Sequence, residues 1–316
     1  MQNRNSDAPL TGAMLGLALA MLIWGSSFVA MKFALQAFHP LAAVFGRLFT
    51  ASVFFIVFRK HFGEMHYQRG DWKLLGLMAF CEPCLYFSFE TYALVYTSAS
   101  EASMITGLLP LMTAIAAWFL LSERLTTRTL TGFVVAFIGI IGMSLTGRAT
   151  ESAPQPLLGN SLELLAMVCA TGYTIASRRL SARYSPFFIT AVQTFVGTAF
   201  FAPAMLIPGA LPVARAFTGG AALAVIYMGL MVSVAAYYLY NHALSRMPAN
   251  KVSPYTNLIP VFSMLLGWWM LDEELTRWQY FSAALVIGGT LATQVEFSGS
   301  WLRKLSGDVA GAAFDK

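Results

Sequence analysis

The segment LLPLMTAIAAWFLLSERLT, residues 108–126, comes back 150 residues later as LIPVFSMLLGWWMLDEELT, residues 258–276. Leu108, Pro110 and Trp118 fall on Leu258, Pro260 and Trp268. Ser122-Glu123-Arg124-Leu125-Thr126 falls on Asp272-Glu273-Glu274-Leu275-Thr276. Beyond the segment, the same shift lays Gly139 on Gly289 and Ala93-Leu94 on Ala243-Leu244. Leu and Ala matches between apolar stretches arise readily by chance. Pro, Trp and Glu-x-Leu-Thr matches at one shared offset do not, and self-similarity of this kind marks a unit used twice.

Outward from this segment the chain is a series of apolar runs. A helix that spans a bilayer needs about 20 mostly apolar residues. Ten runs qualify, at roughly 12–32, 40–58, 73–95, 101–121, 128–146, 158–178, 186–207, 219–241, 251–271 and 277–297. The gaps between them are short and hold the punctuation: Arg59-Lys60, Arg69-Gly70-Asp71, Pro154 and Pro156, Pro208-Gly209. No gap is long enough to separate soluble domains. Composition agrees: 57% of the 316 residues are hydrophobic, 11% are charged and mean hydropathy is +0.64. A soluble domain carries about 25% charged residues, and half that charge cannot coat a water-facing surface. Lipid forces each span to satisfy its own backbone hydrogen bonds, so each is predicted to be a helix. The fold class is all-α integral membrane, with ten transmembrane helices in two five-helix repeats.

Other classes fall away. The net charge of +5 comes from Lys and Arg in short gaps, not from a basic stripe beside an aromatic reader motif, so nucleic acid is not a predicted partner. Cys81-Glu-Pro-Cys84 has redox spacing but lies inside an apolar run, and three cysteines make no disulfide framework. Ala18-Leu-Ala20 resembles a signal-peptide cleavage site. The apolar run continues past it to Phe38, interrupted only by Lys32, so a retained helix is expected. The four histidines show no metal-ligand spacing, and there is no Gly-x-Ser-x-Gly elbow or Walker loop. No cofactor, metal or catalytic residue is predicted. An intramembrane enzyme and a non-transporting membrane receptor are the alternatives to a transporter.

Lys and Arg placement orients the chain. One set of ends and gaps holds fifteen: Arg4, Arg59, Lys60, Arg69, Lys73, Arg124, Arg128, Arg178, Arg179, Arg183, Arg246, Lys251, Arg303, Lys304 and Lys316. The other holds four: Lys32, Arg148, Arg215 and Arg277. The positive-inside rule then puts both termini in the cytoplasm of a cell (inner) membrane protein. The domain division is 1–150, helices one to five; 151–300, helices six to ten; and 301–316, a cytoplasmic tail. Five helices is an odd number, so the second half enters the bilayer from the opposite side. Inverted halves of this kind let secondary transporters open one central cavity to each side in turn.

Two five-helix halves, Trp24-Gly-Ser-Ser-Phe28 early in the first helix, and a Pro-containing helix ending in Glu-x-Leu-Thr in each half resemble the EamA-type branch of the drug/metabolite transporter superfamily. The resemblance covers residues 12–297. At the first-helix motif the second half departs, with Ala170-Thr-Gly-Tyr173 standing in its place. The resemblance implies a basket-like ten-helix fold and export, or less often import, of amino acids, related metabolites or toxic organic compounds.

Ionisable groups inside spans cost about 2.5–3.5 kcal/mol on insertion scales and are functional candidates by default. Arg47 lies in helix two; Glu82 and Glu90 lie in helix three. Arg47 and Glu90 fall at similar depth and are predicted to pair or to share a ligand: Arg47 facing a carboxylate, Glu90 facing an ammonium or taking a proton. A buried ion pair that fixes packing is the other reading, and Glu82-Pro83 can instead mark a kink. Trp24 and Ser27 line the cavity or serve close helix packing. Tyr173, Tyr237 and Asn257 complete the predicted substrate-binding set, with Tyr238 and Tyr240 assigned to packing or the interfacial belt. Thr106, Gly107 and Pro110 are the repeat partners of Thr256, Asn257 and Pro260. Interrupted helices at matching places point to a transport site. Glu123 and Glu273, at helix ends, are read as caps. The small-residue stripes Gly12, Gly16, Ala20 and Ala284, Gly288, Ala292 are read as helix contacts inside the bundle. The implied partners are a small-molecule substrate, the lipid bilayer and, without an ATP engine, a substrate or proton gradient.

Overall fold

The computed structural model describes residues 8–63, 66–121, 127–146, 149–210 and 219–294. Arg4, the Ser122–Thr126 motif with Glu123, Arg148, Arg215 and the tail 301–316 lie outside them. The described residues are helical throughout, with a lone bridge between Thr150 and Ala153. In order the helices are α1 (Ala8–Leu35), α2 (Pro40–Val57), α3 (Asp71–Ala79), α4 (Tyr86–Tyr96), α5 (Ala99–Ile105), α6 (Leu109–Leu121) and α7 (Thr127–Thr146). They continue with α8 (Pro156–Leu180), α9 (Pro186–Phe201), α10 (Gly219–Tyr227), α11 (Tyr237–Arg246), α12 (Ala249–Val252), α13 (Leu258–Leu271) and α14 (Arg277–Gln294).

Local chemistry starts these helices. Pro40, Pro156 and Pro186 open α2, α8 and α9 where the missing N–H costs nothing. Ser98 and Ser185 cap α5 and α9 by accepting from the amides of Glu101 and Phe188. α1 runs unbroken through Ala18–Ala20.

Five helical stretches are long and apolar enough to cross a membrane by length and composition: Gly12–Leu35, Pro40–Val57, Ala99–Leu120, Pro186–Leu206 and Gly219–Arg246. Several other apolar runs are shortened by breaks or diluted by polar groups. α3 and α4 meet in a π turn at Phe80–Leu85, where Glu82 leaves helical geometry (φ −146°, ψ 119°) beside Pro83. A second π stretch, Met228–Ala236, joins α10 to α11. A shift of 150 residues carries one onto the other. Single 3₁₀ turns, Thr106–Leu108 and Ser253–Asn257, interrupt α5–α6 and α12–α13 at matching places. The kink read from Glu82-Pro83 is therefore present, and so are the paired interruptions.

The outer surface is apolar. Leu15, Phe119, Leu145, Leu206 and Trp269 are each at least two-thirds exposed, as expected of side chains that face lipid tails. Asn160, Glu163, Gln193 and Asn241 are buried instead. This is an all-α membrane protein with polar side chains set into an apolar core.

Hydrogen bonds show which connections share an end. Arg183 bonds Asp71, Ser185 bonds the Phe62 carbonyl, and Arg179 bonds the Leu120 carbonyl, all at one end. At the other, Lys32 bonds the Ser152 carbonyl (2.6 Å), Gln155 bonds Tyr96, and Glu273 accepts from the amides of Ala99 and Ser100 at 2.8 and 2.9 Å. Glu273 is thus a cap, on a helix of the other half of the chain.

α7 and α14 pack along their length. A Cβ on Gly139 would stand 2.7 Å from the Ser282 carbonyl oxygen, and one on Gly289 would stand 2.8 Å from that of Gly132. The two contacts are the same contact, each related to the other by the offset of 150. The predicted stripe in α14 is corrected here: Ala284 and Gly288 face outward, and nothing lies within 4 Å of a Cβ on Gly288. In the α1 stripe, Gly12 is likewise open, whereas Gly16 meets Leu239 and Ala20 is buried.

Candidate functional site

α1, α2, α4, α8, α11 and both π stretches surround a central cavity of about 40 Å³. Seven of the eight predicted residues line it: Trp24, Ser27, Arg47, Glu82, Glu90, Tyr173 and Tyr237. Asn257 does not; it is buried beside Gly107 with both amide atoms unpartnered, one residue from Thr256, which does line the cavity.

The wall is aromatic. The Trp24 ring lies 5.0 Å from Tyr237 and 4.9 Å from Tyr240, and Tyr173 meets Tyr237 edge-on at 6.0 Å. Tyr240 is a correction: it is buried and lines the cavity, whereas Tyr238 is part exposed as expected. The π stretch before α11 adds backbone to the turn and rotates every later side chain, which a 3.6-residue period cannot foresee.

Charge enters from α2, from the π turn at Phe80–Leu85 and from α4. Arg47 is 2% exposed, a rare state for an arginine. Its Nε donates to Ser233 Oγ at 3.1 Å, and its guanidinium lies 4.1 Å over the Phe87 ring. Tyr86 donates to Glu90 Oε1 at 2.6 Å, and Tyr237 donates to Glu82 Oε1. No ion pair within 4.0 Å joins Arg47 to Glu90 among the described residues, which corrects the direct pairing and leaves the shared cavity. Each charged group is held by its own neighbour. Glu82 reaches the cavity from the π turn, where its own backbone leaves helical geometry, and Tyr86 one turn on lines the same cavity.

Behind the cavity Asn241 accepts from Tyr173 (3.0 Å) and Ser177 (2.5 Å) and donates to Thr190. This bonded layer fixes the ring of Tyr173. Trp24 Nε1 has no partner, so one donor at the wall is free for a ligand. A water needs roughly 10–15 Å³, so 40 Å³ admits a few waters and no metabolite. The centre is closed in this conformation. A crevice of about 630 Å³ opens at the end that carries Glu273, lined by Lys32, Gln36, Glu151, Asp272 and Glu273 among others.

The EamA-like transporter family model matches residues 11–145 and again 157–294. The chain belongs to the EamA-like transporter family. It is 28% identical over 294 residues to the uncharacterized transporter YcxC of Bacillus subtilis, covering 90% of this chain and 93% of that one. An uncharacterized transporter of Archaeoglobus fulgidus is 27% identical over 280 residues, with 88% and 95% covered. A probable terminal-alkyne amino-acid exporter of Streptantibioticus cattleyicolor is 24% identical over 285 residues, with 89% and 93% covered. A crystal structure at 22% identity superposes with a TM-score of 0.65 over 90% of this chain and 98% of that one, a likeness of fold. These EamA-like relatives are transporters rather than enzymes, and this chain is a multi-pass membrane transporter of that family.

Sequence reading passed over Glu101, Glu163, Tyr86 and Ser233. Glu101 and Glu163 are intramembrane carboxyls, so the rule that picked Glu82 and Glu90 applied to them as well. Tyr86 had a signal too, four residues before Glu90 on one helical face. Ser233 had none.

Proposed function

We propose that this EamA-like chain is a secondary transporter that exports amino acids or related small metabolites by alternating access. Its ten helices form two inverted halves, 1–150 and 151–300, with both termini cytoplasmic and the Glu273 end outside. The observation that carries the substrate class is one cavity joining a guanidinium, Arg47, to two carboxyls, Glu82 and Glu90, between aromatic rings. A zwitterion presents the complementary pair: its carboxylate meets Arg47 and the Trp24 N–H, and its ammonium meets Glu82 and Glu90. The rings of Trp24, Tyr173, Tyr237 and Tyr240 suit the side chain. The name of the Streptantibioticus relative, an amino-acid exporter, supports the same class. The reciprocal α7–α14 contact and the paired helix interruptions support the two halves. Without a Walker loop the drive is a gradient of substrate or protons.

Reconstituted vesicles loaded with a radiolabelled amino-acid mixture test this. The wild type is expected to release label far faster than protein-free vesicles loaded the same way. Arg47→Ala and Glu90→Gln are each expected to cut release at least about tenfold, in line with the ~1.4 kcal/mol per decade lost with a charged contact, while the protein still folds and inserts. Normal release in both variants removes the zwitterion site.

A further inference from the structure

Glu163 lies outside the cavity lining, and its surroundings set it apart. The side chain is fully enclosed, and neither carboxyl oxygen has a hydrogen-bond partner. Buried polar groups in native proteins are overwhelmingly bonded. One turn away on α8, Asn160 bonds Thr97, Glu101 and Ser144. One turn the other way, Met167 lines the cavity. Glu163 therefore stands between the cavity and a polar array near the Glu273 end.

α8 packs against α4, and the titratable groups that act on Glu163 from it are Glu90 and Tyr86. α5 brings Glu101, already engaged by Asn160 (2.9 Å) and Gln279 (2.6 Å). Arg47 acts on Glu90, which Tyr86 also holds. Among the described residues no Lys or Arg forms an ion pair with Glu163. Glu90 has the Tyr86 hydroxyl as a donor and the Arg47 guanidinium acting on it, with Glu82 sharing that guanidinium, whereas Glu163 has neither; interacting carboxyls titrate as a group rather than singly. The charge belongs on Glu90, which has both a donor and the guanidinium nearby. Glu163 is left as the neutral acid, because a carboxylate without a donor at this depth would be strongly disfavoured.

We propose that Glu163 is the proton-carrying residue that couples export to a proton gradient. Arrival of a substrate ammonium at Glu82 and Glu90 offsets the negative charge there and so allows a second negative charge nearby, on Glu163. Glu163 then releases its proton to water on the side the substrate entered, becoming a carboxylate. When the substrate leaves, the lone charge on Glu163 is again unsupported, and the residue takes a proton from the side the substrate left. One proton moves inward for each substrate moved outward, and Asn160 with Glu101 marks the route toward the Glu273 end. This rests on the export reading, so the test has one arm that needs no transport.

In that arm, infrared spectra of the lipid-reconstituted wild type and of Glu163→Gln are compared at neutral pH. A carbonyl stretch of a buried neutral carboxylic acid is expected in the wild type and absent in the variant. Identical spectra in that region overturn the proposal. In the second arm, vesicles loaded with the labelled amino-acid mixture receive an acid jump on the side corresponding to the cell exterior. The wild type is expected to accelerate at least tenfold. Glu163→Gln is expected to keep downhill release and lose the acceleration, and Glu163→Asp is expected to regain part of it. Acceleration retained in Glu163→Gln overturns the proposal. Should the wild type move none of the label, the export reading fails, and the infrared arm still decides whether Glu163 holds a proton.

Discussion

Asp71, at the end of the bundle away from Glu273, shows how much one carboxyl can organise. It accepts from the Gln68 amide, from Arg183 at 2.5 and 3.2 Å, and from Tyr184 at 2.9 Å. Burial pushes this carboxyl up, but the amide, the guanidinium and the phenol outweigh it and hold it below the usual carboxylate range. Burial and the bond to Asp71 push the Tyr184 phenol up to about 12. A carboxyl depressed in the folded state contributes stability that is complete above its unfolded value, about 3.9, and is lost as pH falls through the folded value. Thermal melts of the purified protein should therefore decline in acid below about pH 4, and Asp71→Asn should remove part of that decline while lowering the neutral-pH melting point. A variant whose acid limb matches the wild type would take Asp71 out of the stability account. At the same scale, Arg47, Glu82 and Glu90 were legible in the sequence because charge is rare inside an apolar run. Glu163 was equally charged but sits among Asn160 and Ser161, near a span end, where polar residues draw less notice.

Helices in this chain are defined as much by where they break as by where they run. The π turn at Phe80–Leu85 carries Pro83, whose ring packs onto α9 where a Cβ on Gly197 would clash with it. The α7–α14 contact is as tight, and it gives a paired test. Gly289→Ala should clash with the backbone of α7 and destabilise by about 1–3 kcal/mol. Gly288→Ala, one residue earlier, meets open space and should be neutral or stabilising by about 0.5–1 kcal/mol. Thermal-shift measurements on the two variants separate them, and equal losses would mean that the contact is misassigned. The existence of the helices could be read from apolar runs, and three interruptions from Pro83, Pro110 and Pro260; the π stretch at Met228–Ala236 carries no proline and no such mark. The rotational phase of the helices could not be read. Past the π stretch at Met228–Ala236 the face presented to the cavity changes, which carries Tyr240 onto the cavity wall; in α14, which has no such break, adjacent Gly288 and Gly289 carry no local mark that tells which one meets α7.

Over the whole molecule the hydrogen bonds between connections sort them into two ends. Asp71 with Arg183, and Phe62 with Ser185, tie together the gaps rich in Lys and Arg; Lys32 with Ser152, and Ala99 with Glu273, tie together the poor ones. With Cys81, Cys84 and Cys169 replaced by Ser, single cysteines at exposed Arg69 and Ala182 should react with an impermeant thiol reagent from one side of the membrane, and a cysteine at Glu151 from the other. Labelling of Arg69→Cys and Ala182→Cys from opposite sides would sink the inverted arrangement. The all-α membrane class was readable from the apolar runs. The closed state of the centre was not, because 40 Å³ is a property of how α1, α4, α8 and α11 lean together, and no local pattern records it.

Return to α7 and α14, each offering the other the same glycine against the same carbonyl. A surface that fits its mate by a two-fold relation also fits a replica of itself. Cut between residues 146 and 156, the chain would yield two fragments with interchangeable edges, and mispaired twins would compete with the proper couple. Fusing both halves on one polypeptide keeps the right mate at high local concentration.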